Sequence, residues 1–381
     1  MVRLVFVCVP SVAKNCFARW PGEVVASGAA SSQARGGFCM SVPSPAEVLS
    51  THTPALFGAA VLRATELLRA GEVVALPTET VYGLAANALD PQAVAKIYAL
   101  KGRPSHNPII VHVDGLDMAR ACVNAWPEAA ERLAVAFWPG PLTLVLPRAA
   151  GISDLVTAGG DTVGVRWPQH PFMREVIRAC GFPLAAPSAN LSNQLSPTNA
   201  EHVAKQFGDR LRLIVDGGQS NVGIESTVVD LTASPPRVLR PGMIHAESLA
   251  AAVGNGEWGM GNEEDAGSDT LRSPGMLAKH YSPKARLLVL AWFSEAELKA
   301  RLAELGVALD GAWVLAHSHI PLGGGFGSVS VIPHDAQAYA RALYAELHHA
   351  DAAGAGCIVV EAPPDAPEWQ GIADRLRRAA A

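Results

Sequence analysis

Two short segments concentrate groups able to handle a polyanion. One runs Lys101-Gly102-Arg103-Pro104-Ser105-His106-Asn107-Pro108, the other Ala185-Ala186-Pro187-Ser188-Ala189-Asn190, with Ser196-Pro197-Thr198 just after it. Both sit at the ends of apolar runs that read as strands. Two cations, two amides and several hydroxyls at strand ends are what a triphosphate and a small polar co-substrate need. Taken singly, each segment reads equally well as a polar turn, because Pro, Ser and Asn are common turn residues. Further strand ends repeat the pattern. Pro77-Thr78-Glu79-Thr80-Val81-Tyr82-Gly83-Leu84 places two threonines around a glutamate; His112 lies on another strand; Thr162 and Arg166 bracket a third. Gly223-Ile224-Glu225-Ser226-Thr227 and Leu239-Arg240-Pro241-Gly242 add two more. So many polar strand ends in a chain with only 17% charged residues point to one lined cleft.

The elements that must carry these residues are legible from apolar spacing. Residues 55–70 have a helical apolar face stopped by Gly71, and Asp90-Pro91 starts a helix over 93–100. Helices are also expected over 127–137, 171–180 and 199–207. Strands are expected at 73–76, 109–113, 142–146, 163–166, 213–215 and 226–230. Helices and strands mix without a strict repeat, which predicts an α/β domain with a twisted mixed sheet and a concave cleft. Residues 246–284, poor in apolar groups and acidic near Glu263, Glu264 and Asp265, read as a linker. Beyond them, strands at 287–291, 312–316, 329–332 and 358–361 and helices at 295–305 and 335–348 predict a smaller, parallel, Rossmann-like C-terminal domain. The expected division is an extension over 1–50, a catalytic domain over 51–245, a linker over 246–284 and the small domain over 285–381.

Bulk composition narrows the function classes. A chain of 381 residues with 49% apolar residues suits two globular domains. A net charge of −5 argues against a broad nonspecific nucleic-acid surface. Six cysteines without any Cys-x-x-Cys pair argue against a zinc site or a disulfide framework and point to a reducing, cytoplasmic setting. No apolar run approaches the roughly 20 residues that cross a bilayer, so no membrane association is expected. Residues 1–39 contain one acid, Glu23, and no periodicity. They read either as a transit peptide or as an over-extended start with Met40 as the first residue; the second is favoured, and little order is expected there. Gly254-Asn255-Gly256-Glu257-Trp258-Gly259 matches a dinucleotide fingerprint in letters only, since no strand precedes it and no helix follows.

The stretch from Gly71 to Val113 closely resembles the YrdC family, through Pro-Thr-Glu-Thr-Val-Tyr-Gly-Leu, Lys-x-Arg-Pro and Asn-Pro-Ile-Ile-Val-His. That family's Lys-x-Arg and Ser-x-Asn tetrad falls on Lys101, Arg103, Ser188 and Asn190. Trp138-Pro139-Gly140-Pro141-Leu142-Thr143, Ser273-Pro274-Gly275-Met276 and Lys279-His280-Tyr281-Ser282-Pro283 extend the likeness to the longer, two-domain threonylcarbamoyl-AMP synthases. The resemblance implies synthesis of threonylcarbamoyl-AMP from L-threonine, bicarbonate or CO2 and ATP, with pyrophosphate released. The product then serves a downstream tRNA threonylcarbamoyl transferase complex that modifies the adenosine beside the anticodon; a weak tRNA contact is compatible with this.

By that resemblance Lys101 and Arg103 are the catalytic pair and bind phosphate oxygens. Asn107, Thr162, Ser188, Ser196 and Arg240 complete the ATP site, with Asn190 supporting the Ser188 turn or a phosphate. Thr80, His112, Arg166 and Ser226 hold threonine. Tyr281, and His280 beside it, would close on ATP as a lid. Mg2+ is expected on ATP, held mostly by substrate oxygens and water. Asp374 stands where the pattern leads one to expect Asn, with a weakened second-domain contact as the expected consequence and no effect on the cleft. The alternative is a YrdC-like RNA-binding module without synthase activity.

Overall fold

The computed structural model describes residues 2–4, 45–103, 106–254, 258–260 and 280–381. Among these residues one mixed sheet of eleven strands forms the first domain. From one edge it runs Gly259–Met260, Arg237–Arg240, Thr227–Asp230, Leu142–Pro147, Thr162–Arg166, Val111–His112, Leu184–Ala185, Gly83–Asn87, Val74–Leu76, Leu213–Asp216 and Glu47–Ser50. Parallel and antiparallel neighbours alternate irregularly, as at Leu144 against Val165 (antiparallel) and Val111 against Val165 (parallel). This is the expected mixed α/β architecture. Polar residues sit at the open ends of buried, apolar strands, so the strands act as a rack for the site.

Local signals place the key helix. Asp90 caps Pro91–Lys101 by accepting from the amides of Gln92 and Ala93, and Pro91 supplies a preset φ. Gly102 ends the helix at φ +58, a left-handed turn that glycine tolerates without strain. Lys101 and Arg103 therefore leave the last turn on a rigid support. Helix Pro171–Cys180 starts in the same way, with the His170 ring accepting from the Phe172 amide.

The second domain has the expected parallel sheet. Its order is Ser328–Val331, Ala312–Ala316, Cys357–Glu361 and Arg286–Leu290, with Val2–Leu4 pairing in parallel on the outer edge of Ser328–Val331. Two parts of the expected organisation differ. The extension over 1–50 was expected to lack structure, yet Glu47–Ser50 completes the large sheet beside Leu213–Asp216, and Val2–Leu4 also pairs. The expected linker begins later than residue 246, because Ala246–Val253 is a helix with Leu249 buried. The remaining linker residues 255–257 and 261–279, including Lys279, lie outside the described residues, as do most of the N-terminal extension and Pro104-Ser105.

The two domains share apolar packing. Val81, Leu195, Ile224 and Tyr281 belong to one buried cluster with Leu343, Tyr344, Leu347, Trp369, Ile372 and Leu376. Gly223 sits at the tightest point of this contact. Its φ is +85, and a Cβ there would stand 2.3 Å from the Ala340 carbonyl oxygen and 2.4 Å from the Arg341 Cα. Backbone cannot yield as a flexible side chain does. Gly223→Ala is expected to destabilise the protein by at least about 2 kcal/mol, read as a lower midpoint in urea unfolding. A change within about 0.5 kcal/mol would show that the Gly223 loop and helix Ala336–Ala352 part easily at this point.

Candidate functional site

The strand ends converge on a cavity between the first domain and the segment around residue 281. Its wall includes Thr80, Arg103, His112, Arg166, Ser188, Glu225, Ser226, Arg240, His280 and Tyr281. At one end, Arg166 is buried and donates to Glu79 Oε1 at 2.6 Å, to Thr80 Oγ1 at 2.9 Å and to the Gly140 carbonyl at 3.3 Å. Three of its five N–H groups are thus engaged, which leaves two for a ligand. Burial would raise the Glu79 carboxyl, but the charge and hydrogen bonds of Arg166 outweigh this and hold it below the usual carboxylate range. The pair is a fixed dipole, aimed and mostly dry.

His112 stands in the same wall. Its Nδ1 is buried and has no hydrogen-bond partner. Burial, with the Arg166 cation close by, lowers its pKa to about 3, so the ring is neutral at physiological pH. A neutral imidazole with an unmatched ring nitrogen, deep in a cavity, is a ready partner for a small polar ligand.

The other end is cationic. Arg103 donates to the Asn107 backbone oxygen at 3.0 Å, to Asn107 Oδ1 at 2.6 Å and to the Pro108 oxygen at 2.7 Å. Burial lowers its pKa to about 10, which still leaves it charged at neutral pH. Arg240 is anchored on Ser226, through the backbone oxygen and Oγ, each at 3.1 Å. Tyr281 closes this end, fully buried and with φ +62. The Ser282 amide donates to the Asn193 oxygen, so the segment is tied down next to the Ser188–Asn190 loop. Burial lowers the His280 pKa to about 3 against the upward pull of Glu225, with the neighbouring Arg103, Lys101 and Arg240 cations adding to the lowering.

Lys101, Asn107 and Ser196, expected to meet ATP, stand behind the wall, as does Asn190, and Thr162 lies apart from it. Lys101 Nζ donates to the backbone oxygens of both Ser188 and Asn190. A fully buried ammonium needs such acceptors, and burial drives its pKa well below the ordinary lysine value. Lys101 therefore locks the two halves of the tetrad together rather than facing the cavity. Asn107 braces Arg103, and its own Nδ2 is buried without a partner. Asn190 spends its amide on the oxygens of Leu191 and Gln194, each at 2.8 Å, in support of the turn, and its Oδ1 is buried without a partner. Ser196 donates to Glu225 Oε1 at 2.5 Å. Thr162 begins its strand while Arg166 ends it, so it borders a separate crevice that shares only Ile110 with the main cavity.

Glu79 and Glu225 stand in the polar strand ends that the sequence marks, but no role for either follows from the motifs alone. Buried carboxylates in so lightly charged a chain were a usable signal, because such groups survive only when paired. The sequence reading also missed the reach of the C-terminal helix, whose Arg375 meets Glu225 at 2.6 Å.

Residues 66–242 match the Sua5/YciO/YrdC family model, described as "Telomere recombination", and residues 244–381 match that of the "Threonylcarbamoyl-AMP synthase, C-terminal domain". A threonylcarbamoyl-AMP synthase from Pyrococcus abyssi is 37% identical over 331 residues, spanning 83% of this chain and 92% of its own. The chain belongs to the threonylcarbamoyl-AMP synthase family. A Bacillus subtilis member of that name is 46% identical over 242 residues, 63% of this chain and 68% of its own. The crystal structure of Pyrococcus abyssi Sua5 complexed with L-threonine superposes with a TM-score of 0.77 at 36% identity, covering 87% of this chain and 96% of that one. The likeness to two-domain synthases read from the motifs thus extends over both domains. No helix among the described residues is long and apolar enough to cross a membrane.

Proposed function

We propose that this chain makes threonylcarbamoyl-AMP from L-threonine, bicarbonate or CO2 and ATP, releasing pyrophosphate. The observation that carries this is the polarity of one cavity. The Arg166–Thr80–His112 end has two spare guanidinium N–H groups and one unmatched imidazole nitrogen, and the Arg103–Arg240–Tyr281 end is cationic and closed. The relative crystallised with L-threonine supports placing that amino acid at the first end.

The threonine carboxylate meets Arg166, a planar donor already fixed by Glu79. His112 and the hydroxyls of Thr80 and Ser226 take the amine and the side-chain hydroxyl. The amine nitrogen joins the carbon of CO2 and loses a proton, giving a carbamate. A carbamate oxygen then attacks the α-phosphorus of ATP, and the bond from that phosphorus to the bridging oxygen breaks as pyrophosphate leaves. This chemistry needs alignment and charge neutralisation more than a protein nucleophile. Arg103 and Arg240 supply the charge, and Ser188 supplies a hydroxyl at the rim.

Both carboxylates near the cavity are committed, Glu79 to Arg166 and Glu225 to Arg375. Among the described residues no group of three or more His, Cys, Asp or Glu is arranged to hold a metal ion. That donor set fits Mg2+ carried by the nucleotide's own phosphate oxygens and water, where it would offset phosphate charge. The labile adenylate requires a downstream tRNA threonylcarbamoyl transferase, and the setting we assign is the cytoplasm.

Incubating the protein with ATP, L-threonine and bicarbonate, and reading pyrophosphate and the adenylate by mass spectrometry, tests this reading. Pyrophosphate is expected only when threonine and bicarbonate are both present. Release that ignores threonine, or release of orthophosphate, would overturn it.

A further inference from the structure

Arg375 lies in the last helix, Gln370–Ala379, far along the chain from the catalytic motifs, yet its side chain is 0% exposed against the wall of the cavity. Its Nε donates to Glu225 Oε2 at 2.6 Å and its Nη2 to the Glu225 backbone oxygen at 3.2 Å. Its Nη1 donates to the Pro241 oxygen at 2.9 Å and to Asp374 Oδ2 at 2.7 Å. The guanidinium carbon lies 5.4 Å from the centre of the Tyr281 ring. Glu225 and Tyr281 line the cavity, and Pro241 follows Arg240, which also lines it. One side chain of the second domain therefore touches three segments of the nucleotide end at once.

The surroundings fix Arg375 in that pose. Asp374 also binds Arg377 at 3.0 Å and Arg378 at 2.9 Å, and the Arg378 carbonyl accepts the His280 amide at 3.1 Å. Gly371 seats the helix directly on the Gly242 backbone, where a Cβ would come within 2.8 Å of the Gly242 oxygen. The Asp374 carboxylate is thus a hub for the helix's arginines, and it holds Arg375 without touching the cavity itself.

Resting on the reading above, we propose that Arg375 is a positioning residue for the nucleotide half of the reaction. It neutralises Glu225, so Arg240 remains on Ser226 and faces the phosphates, and it holds Tyr281 in the wall. Without Arg375, Glu225 becomes a buried carboxylate beside a polyphosphate in a poorly screened site. It then repels the nucleotide and competes for Arg240. The threonine half has its own ion pair, Arg166 with Glu79, and should be spared.

The test uses the full chain in the pyrophosphate assay, with ATP and L-threonine varied separately. Arg375→Ala is expected to raise the KM for ATP by about tenfold or more while the KM for threonine stays within about threefold. Adding Glu225→Gln to Arg375→Ala removes the stranded charge and should bring the ATP KM back to within about threefold of wild type. A purely structural role would move both KM values together, and the double variant would be no better than the single one. Either result, or an unmoved ATP KM, overturns the proposal. If Arg375→Ala does not fold, Arg375→Lys decides: it keeps the charge but loses the fork, and its ATP KM should rise about threefold or more, whereas an unchanged value overturns the proposal. Wild-type protein that releases no threonine-dependent pyrophosphate would overturn the reaction itself, whereas an active wild type with an unmoved Arg375 series would overturn only the role of Arg375.

Discussion

Arg166→Ala should abolish threonine-dependent turnover, lowering it by at least about 100-fold, and also destabilise the fold by about 3–5 kcal/mol. Both effects have one source. Arg166 and Glu79 are 5% and 4% exposed, and their 2.6 Å contact is the reason Glu79 remains ionised in a buried position. Removing the arginine strands that carboxylate and deletes the group assigned to the threonine carboxylate. The two effects can be separated. Glu79→Gln added to Arg166→Ala should recover much of the lost stability, because no charge is then buried alone, but it should recover no turnover. Arg103→Ala gives the contrast, with ATP affinity falling about 10- to 150-fold and threonine affinity little changed. Urea unfolding and separate substrate titrations read all four quantities. Equal losses of both affinities in both variants would refute the division of the cavity into two ends.

Much of this arrangement was legible in the sequence because the chemistry sits in short, contiguous motifs at strand ends. Pro77 to Leu84 and Lys101 to Pro108 are each a few residues long, and their polarity stands out in a chain so poor in charge. What was not legible is which polar atoms spend themselves on each other. Lys101 looked like a phosphate ligand because lysine usually is solvated, yet its carbonyl acceptors lie at Ser188 and Asn190, in a loop that no local pattern connects to it. The bond from Ser196 to Glu225 is hidden for the same reason, since its partner is set by tertiary contact, whereas the turn-supporting role expected of Asn190 has its acceptors close in sequence, at Leu191 and Gln194. Glu47–Ser50 was read as part of an extension because a parallel edge strand gets its register from Leu213–Asp216, some distance along the chain. Leu184–Ala185 is too short for any periodicity. The helix Ala246–Val253 lost out to the acidic stretch that follows it, since the low charge of eight residues does not mark where a linker begins.

Stability should fall steeply on acidification from pH 8 to pH 5, before the carboxylates titrate. His112, His202 and His280 are buried, and burial lowers each pKa to about 3, with neighbouring cations or a neighbouring histidine pushing the same way. In the unfolded chain each returns to about 6.5. Between about 3 and 6.5 the unfolded state therefore binds a proton that the native state refuses, so stability rises with pH there and is lost as pH falls. At pH 5 the loss is about 2 kcal/mol per histidine, or about 6 kcal/mol for the three. Glu79 and Glu225 have folded pKa values held below the usual carboxylate value, so their contribution is lost only at lower pH and does not blur the window. His202 separates this account from general acid sensitivity. It stacks on His348 at 3.9 Å between the domains and does not line the cavity. His202→Gln should therefore remove about 2 kcal/mol of the drop between pH 8 and pH 5 in urea unfolding, and a variant whose stability falls as far as that of the wild type would show that this ring carries none of it.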